Sequence, residues 1–211
     1  KYKGYIQTDG YQGYNLLGNQ EGVLHLGCWA HARRKFVDVI KSRIKNGKKG
    51  HADAALEYIQ QLYAIEKIAD SQKLAVAQRH QLRQEKAKPI LKEFREWLEG
   101  LSSKTPPQGL LGKAVGYAFN QWERLERYVE DGRLRPDNNL AENAIRPFVV
   151  GRKNWLFSGS PAGAEASAAI YSLIETAKAN SIEPYRYLRY LFERLPMAKS
   201  EADYKALLPQ H

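Results

Sequence analysis

Two periods of apolar residues alternate along this 211-residue chain. Gly4 to Thr8 is short and β-leaning, and Asp9-Gly10 closes it with turn chemistry. Tyr14 to Leu17 starts a short helix. A second strand, Gly22 to Cys28, runs directly into Trp29–Ile40, where apolar residues at 29, 32, 36, 39 and 40 have helical spacing. Residues 41–50 read as a Lys/Gly-rich linker. Helical patterns then cover Ala54–Ile68 and Leu74–Leu101, break at Pro106-Pro107, and resume from Lys113 to Glu130. In that last stretch Val115, Ala118, Phe119, Trp122, Leu125 and Val129 share a face. The middle block has no convincing strand and reads as a helical hairpin or small bundle.

Asp131-Gly132 ends this block, and Asp137-Asn138-Asn139 supplies N-cap chemistry for a new helix. Pro147 is expected to stop that helix early, leaving Glu142 in its first turns and Phe148–Phe157 extended. Ser160-Pro161 opens a helix to Ala179, with Ala166, Ala169, Ile170, Leu173, Ile174 and Ala177 as its expected buried stripe. A last helix from Pro184 to Leu195 precedes a tail. No internal repeat is evident.

Composition narrows the setting. A chain of this length buries roughly 70% of its unfolded surface, so neither disulfides nor a structural metal are needed for stability. The single cysteine, Cys28, excludes an intrachain disulfide and fits a reducing cytoplasm. Apolar runs are too short to span a bilayer, and the start carries no signal-peptide core. Lys and Arg outnumber Asp and Glu by 33 to 23, a formal charge of +10 that draws polyanions, nucleic acid above all. A basic but inert surface fits the same numbers.

The residues with chemical potential are few. Phosphoryl transfer with two Mg²⁺ needs Asp or Glu carboxylates that bring the ions roughly 3.5–4 Å apart. Asp9, just past a strand, and Glu142, early on a helix, could supply them. As ordinary residues they would be a turn former and a helix-start charge favoured by the macrodipole. Glu175 is a rival acid, although Lys178 three residues on suits a surface ion pair. His25, Cys28 and His31 recur every three residues, but a closed zinc site takes four ligands and no second Cys/His pair lies near, so no zinc site is expected. Arg33, Arg34 and Lys35 splay over one helix, while Arg146, Arg152 and Lys153 follow Glu142. Both sets suit phosphate contact and equally a solvated face. Trp155 and Phe157 read as core aromatics rather than base-stacking platforms.

The wording around these residues adds to this picture. Gln7-Thr8-Asp9-Gly10-Tyr11, the stretch Cys28 to Phe36, Asp137-Asn138-Asn139-Leu140-Ala141-Glu142 and Gly151 to Phe157 closely resemble the IS66 family of insertion-sequence transposases. So do Ile170 to Asn180, Pro184-Tyr185 and Leu207-Leu208-Pro209. The resemblance runs in order from end to end. It implies a DDE enzyme with Asp9 as second acid and Glu142 as third, and His31 close to the metal site. The implied cofactor is two Mg²⁺ ions, with Mn²⁺ able to substitute.

The fold class expected is α/β and mostly helical: a partial RNase H-like core whose first strands lie upstream, an all-α insertion, and C-terminal helices. The segments are 1–40 (core, first part), 41–130 (insertion), 131–180 (the Glu-bearing helix and the next) and 181–211 (helical tail). The family's first acid lies upstream of Lys1, so this piece alone is expected to be inactive in strand cleavage and transfer. The partners implied are double-stranded DNA, at the element's ends and at the target, and further copies of the chain assembled on DNA, with no membrane. The setting implied is the bacterial cytoplasm, at the nucleoid. Two other functions fit the residues: a basic helical DNA-binding or regulatory module without catalysis, and a nuclease of the same fold.

Overall fold

The computed structural model describes the backbone of residues 2–43, 48–155 and 158–210, and their side chains except those of 152–155. It is mostly helical, with one two-stranded parallel sheet, and divides into two compact units, Lys1–Asn139 and Leu140–His211.

In the first unit β1 (Gly4–Gln7) pairs with β2 (Val23–Leu26) in the register Gly4 to Val23 through Gln7 to Leu26. The connection holds a 3₁₀ turn (Gln12–Tyr14) and the one-turn helix α1 (Asn15–Gly18). β2 passes through Gly27-Cys28 into α2 (Trp29–Ser42), and α3 (His51–Ser71) packs along it. α4 (Val76–Leu82), a π turn (Arg83–Ala87) and α5 (Lys88–Ser102) follow almost without interruption. Pro89 accounts for the π turn: it has no N–H for the carbonyl four residues back, and its ring clashes there unless the helix widens.

α6 (Leu110–Asn120), α7 (Trp122–Glu126) and a 3₁₀ turn (Arg127–Glu130) close the unit. The single helix expected over 113–130 breaks at Gln121, yet Val115, Ala118, Trp122, Leu125 and Val129 all stay buried in one cluster. Of the expected face Phe119 alone leaves the core, at 40% exposed. Trp29 lies in the core, with ring centroids 6.0 Å from Phe94 and 5.8 Å from Trp122. Phe94 and Trp122 themselves meet edge to face at 5.6 Å.

Beside this apolar core lies a buried ionic cluster. The Glu66 carboxylate accepts from Arg83 Nε at 2.8 Å, Arg83 Nη2 at 2.7 Å and Arg79 Nη1 at 3.0 Å. Arg83 is wholly buried and also donates to the carbonyls of Tyr128, Asp131 and Leu134, each at 2.8 Å. All five N–H donors of Arg83 are thus engaged, which is the condition for tolerating its buried charge.

The second unit starts with α8 (Asn139–Trp155), which runs straight through Pro147. The expectations of a stop at Pro147 and of an extended 148–157 are therefore wrong as far as Trp155. A proline removes one backbone hydrogen bond but does not end a helix whose neighbouring turns remain bonded. Leu156 and Phe157 lie outside the described residues, as do the side chains of Arg152, Lys153 and Trp155.

α9 (Pro161–Ala179) begins as expected, Ser160 Oγ accepting from Gly163 N at 3.1 Å. Its expected buried stripe is corrected: only Ala177 is fully buried, and Ile170 is 45% exposed. Spacing set the face, but the second unit supplies too little apolar surface to cover it. α10 (Pro184–Arg194) is capped by the Glu183 carboxylate, and the tail folds into α11 (Glu201–Ala206), capped by Ser200. The core here is Ala177, Tyr187, Leu191 and Leu207.

Candidate active site

Asp9 follows the C-terminal end of β1, the end of a parallel strand where ligand sites collect in α/β sheets. Thr8 holds the strand end in place: its N–H donates to Leu26 O at 3.1 Å, and its Oγ1 lies 2.7 Å from His25 Nε2. Burial, then the positive charges of Arg124 and Arg127, push the His25 pKa below its usual value, so the ring is a neutral packing partner.

Two contacts then set the Asp9 turn. Its Oδ1 accepts from Tyr11 N at 2.9 Å, and its carbonyl accepts from the Tyr117 hydroxyl at 2.7 Å. Burial, with the neighbouring Cys28 and Asp9 adding, pushes the Tyr117 phenol up to about 12, so it remains a donor. Gly10 turns the chain with φ +84°, and a Cβ there would fall 2.9 Å from the Tyr117 hydroxyl. Among the described residues Oδ2 of Asp9 accepts no hydrogen bond.

α2 starts where β2 ends. Its first turn hangs on the Cys28 carbonyl, which accepts from His31 N and Ala32 N, each at 3.2 Å. Cys28 is fully buried, and that burial pushes its thiol pKa up, as suits an inert packing residue. His31 is half-buried on this turn. Among the described residues no three His, Cys, Asp or Glu side chains converge as metal ligands would.

The basic run divides by face. Lys35 places Nζ 5.6 Å from the centroid of the Tyr117 ring, beside the Asp9 turn, whereas Arg33 and Arg34 line a groove between α2 and α3. In the second unit Glu142 stands half-buried in the first turn of α8, with exposed Arg146 four residues on. Glu175 is ion-paired with Lys178 at 2.7 Å, as its spacing suggests.

Spacing alone missed a third element, the segment 131–137 that leads into α8. Arg83 takes the carbonyls of Asp131 and Leu134, and Gln7 Nε2 donates to Arg135 O at 2.9 Å. Trp29 N donates to Pro136 O at 2.9 Å, and the Tyr63 hydroxyl donates to Asp137 Oδ2 at 2.6 Å. Gln7 also donates to Gly27 O at 3.0 Å, so one side chain two residues before Asp9 joins both strands to this segment. Gln7, Tyr63, Arg83 and Tyr117 thus hold the acid turn and the approach to α8. Only the polar Gln7 inside a strand hinted at such a role.

A carboxylate turned out past a parallel strand thus shares the first unit with a helix carrying Arg33, Arg34 and Lys35. Residues 1–166 match the family model for the transposase IS66 family, and residues 172–210 match the IS66 C-terminal element. The chain belongs to the IS66 family of DDE transposases. Three proteins of Sinorhizobium fredii (strain NBRC 101917 / NGR234) are similar to it. Uncharacterized protein y4qI is 33% identical over 216 residues, covering 99% of this chain and 39% of that protein. Uncharacterized proteins y4jD and y4hP are 32% and 31% identical, each covering 92% of this chain and 38% and 37% of their own lengths. The chain therefore spans less than two fifths of these relatives. No solved structure matches it. Among the described residues no helix is long and apolar enough to cross a membrane.

Proposed function

We propose that this chain is part of the catalytic region of a DNA transposase, with Asp9 and Glu142 as two of its metal-holding carboxylates. The observation that carries this reading is the Asp9 turn. The carboxylate leaves the end of a parallel strand, its carbonyl is pinned by Tyr117, and one of its oxygens accepts no hydrogen bond among the described residues. Hard oxygen donors of this kind suit Mg²⁺ or Mn²⁺. Bound there, the ions would supply charge that favours attack on a DNA phosphodiester and departure of the leaving oxygen.

The protein's own part is to fix and to exclude. Tyr117 and Gly10 hold the backbone of the Asp9 turn and Tyr11 N holds its Oδ1, while Arg33, Arg34 and Lys35 on α2 offer cations to backbone phosphates and His31 offers a hydrogen-bonding ring. Arg146 on α8 would do the same one turn after Glu142, and the sequence positions of Arg152 and Lys153 suit the same role. The two-stranded parallel sheet, with no third strand among the described residues, fits an RNase H-like core completed by other segments of a longer protein. The residue segments 1–40 and 131–180 would then be core, with 41–130 inserted and 181–211 appended. The partners would be double-stranded DNA at transposon ends and target, bound by more than one copy.

The test uses the full-length transposase carrying Asp9→Asn or Glu142→Gln. Joining of transposon ends to target should fall by roughly a thousandfold, with DNA binding retained. Joining at the parental rate would overturn the assignment. It would leave a basic DNA-binding module as the reading.

A further inference from the structure

α2 and α3 enclose a surface groove of about 610 Å³ within the first unit. Its α2 wall carries Arg33, Arg34 and Lys41, its α3 wall Gln60 and Tyr63, and Asn139 also lines it. Positions 33, 34, 37 and 41 follow the helical repeat, so the cations form one stripe rather than a scatter. All three are exposed, and among the described residues none makes an ion pair or a side-chain hydrogen bond. Among the described residues no carboxylate lines the groove, and Asp137, close to Tyr63, is engaged by the Tyr63 hydroxyl and by Asn139 N.

A second groove gives the contrast. It lies between α5 and the α7 region, holds about 820 Å³, and carries as many cations. There Lys88 bonds Gln84 and Arg95 pairs with Glu99, while Glu126 and Glu130 line the same wall. That surface neutralises itself; the α2–α3 groove does not.

We propose that the α2–α3 groove is a track for the DNA sugar–phosphate backbone, a deepening that rests on the transposase reading above. From Arg34 to Lys41 the helix rises about 10 Å, the axial length of roughly three base-pair steps, so the stripe spans several phosphates of one strand. Guanidinium groups suit bidentate phosphate contact, and the amides of Gln60 and Asn139 add neutral hydrogen bonds that would position the strand without reading bases. Lys35 belongs to the Asp9 turn and not to this track.

The test measures binding of a labelled duplex of arbitrary sequence by fluorescence anisotropy, without divalent metal, over a range of salt. Arg34→Gln with Lys41→Gln should weaken binding roughly tenfold and lower the salt slope by one to two. Gln60→Glu, which puts an acid on the track without removing a cation, should also weaken binding. Lys88→Gln with Lys92→Gln removes the same charge from the second groove and should leave the slope unchanged. Equal losses from both pairs would mean that overall charge alone binds DNA, and no loss from the α2 pair would mean that the strand lies elsewhere. Either result overturns the track. Because no chemistry is measured, that failure leaves the Asp9 and Glu142 assignment standing, and loss of joining in Asp9→Asn remains its separate test.

Discussion

In the first unit Trp29, Phe94 and Trp122 are packed ring against ring, and even an arginine is wholly buried. In the second unit Tyr187, Leu191 and Leu207 close over a single fully buried alanine, while Leu140, Val150, Ile170 and Phe192 stand 45–74% exposed. Helical periodicity was equally clear in both. The difference lies in what each helix finds opposite it. α2 has α3 and α6 as neighbours, whereas α8 and α9 leave an open, largely apolar groove of about 560 Å³ along Ile145, Phe148 and Tyr171. A stripe of apolar residues records which face of a helix is meant to be covered, and coverage depends on partners that the stripe does not name.

The largest test of this contrast is the ionic cluster. Glu66→Ala leaves the wholly buried Arg83 without a carboxylate, Arg79 keeping Asp70, and should destabilise the first unit by about 3–5 kcal/mol, read as a fall in its urea midpoint. Replacing Glu66, Arg79 and Arg83 together by apolar residues should recover much of that loss. If it does not, the cluster is worth more than its own repair of burial. A smaller effect is expected at Ser160→Ala, which removes the cap of α9 and should destabilise that helix by about 1 kcal/mol. Hydrogen exchange would show it as faster exchange over 161–165 with the first unit unchanged; a change in both units would mean that they unfold together.

The smallest effect is pH dependence at His25. Its folded pKa lies below the usual histidine value of about 6.5, so the unfolded chain takes up the proton first. Stability is therefore complete above about pH 6.5 and falls as the pH drops below it. Thermal unfolding of the parent should show this slope at mildly acidic pH, and His25→Gln should flatten it. A slope unchanged in the variant would assign it to other groups.

Much of this was legible because it is local. The strand ending at Asp9-Gly10, the passage of β2 into α2, the Ser160-Pro161 start and the Glu175–Lys178 pair each depend on residues within a few positions of one another. Pro147 misled because the rule that a proline ends a helix weighs one lost hydrogen bond without its intact neighbours. Arg83 was invisible for a different reason. Its partners at 66, 128, 131 and 134 are remote in sequence, and an arginine amid a helical repeat reads as surface. Asp9 and Glu142 stood out through the polar wording around them, but Tyr117, which holds the acid turn, had no local signature, and Gln7 only that of a polar residue in a strand.

Those same contacts set a schedule. Gln7 reaches Arg135 across 128 positions, and Tyr117 reaches Asp9 across 108. Loops of that length are closed late, after the helices between them have formed. At ribosomal rates the acid turn waits roughly 5–25 s for its last partners to emerge. Until then a nascent chain carries the carboxylate of Asp9 without the contacts that fix its turn, and these are complete only when nearly two thirds of this region has been made.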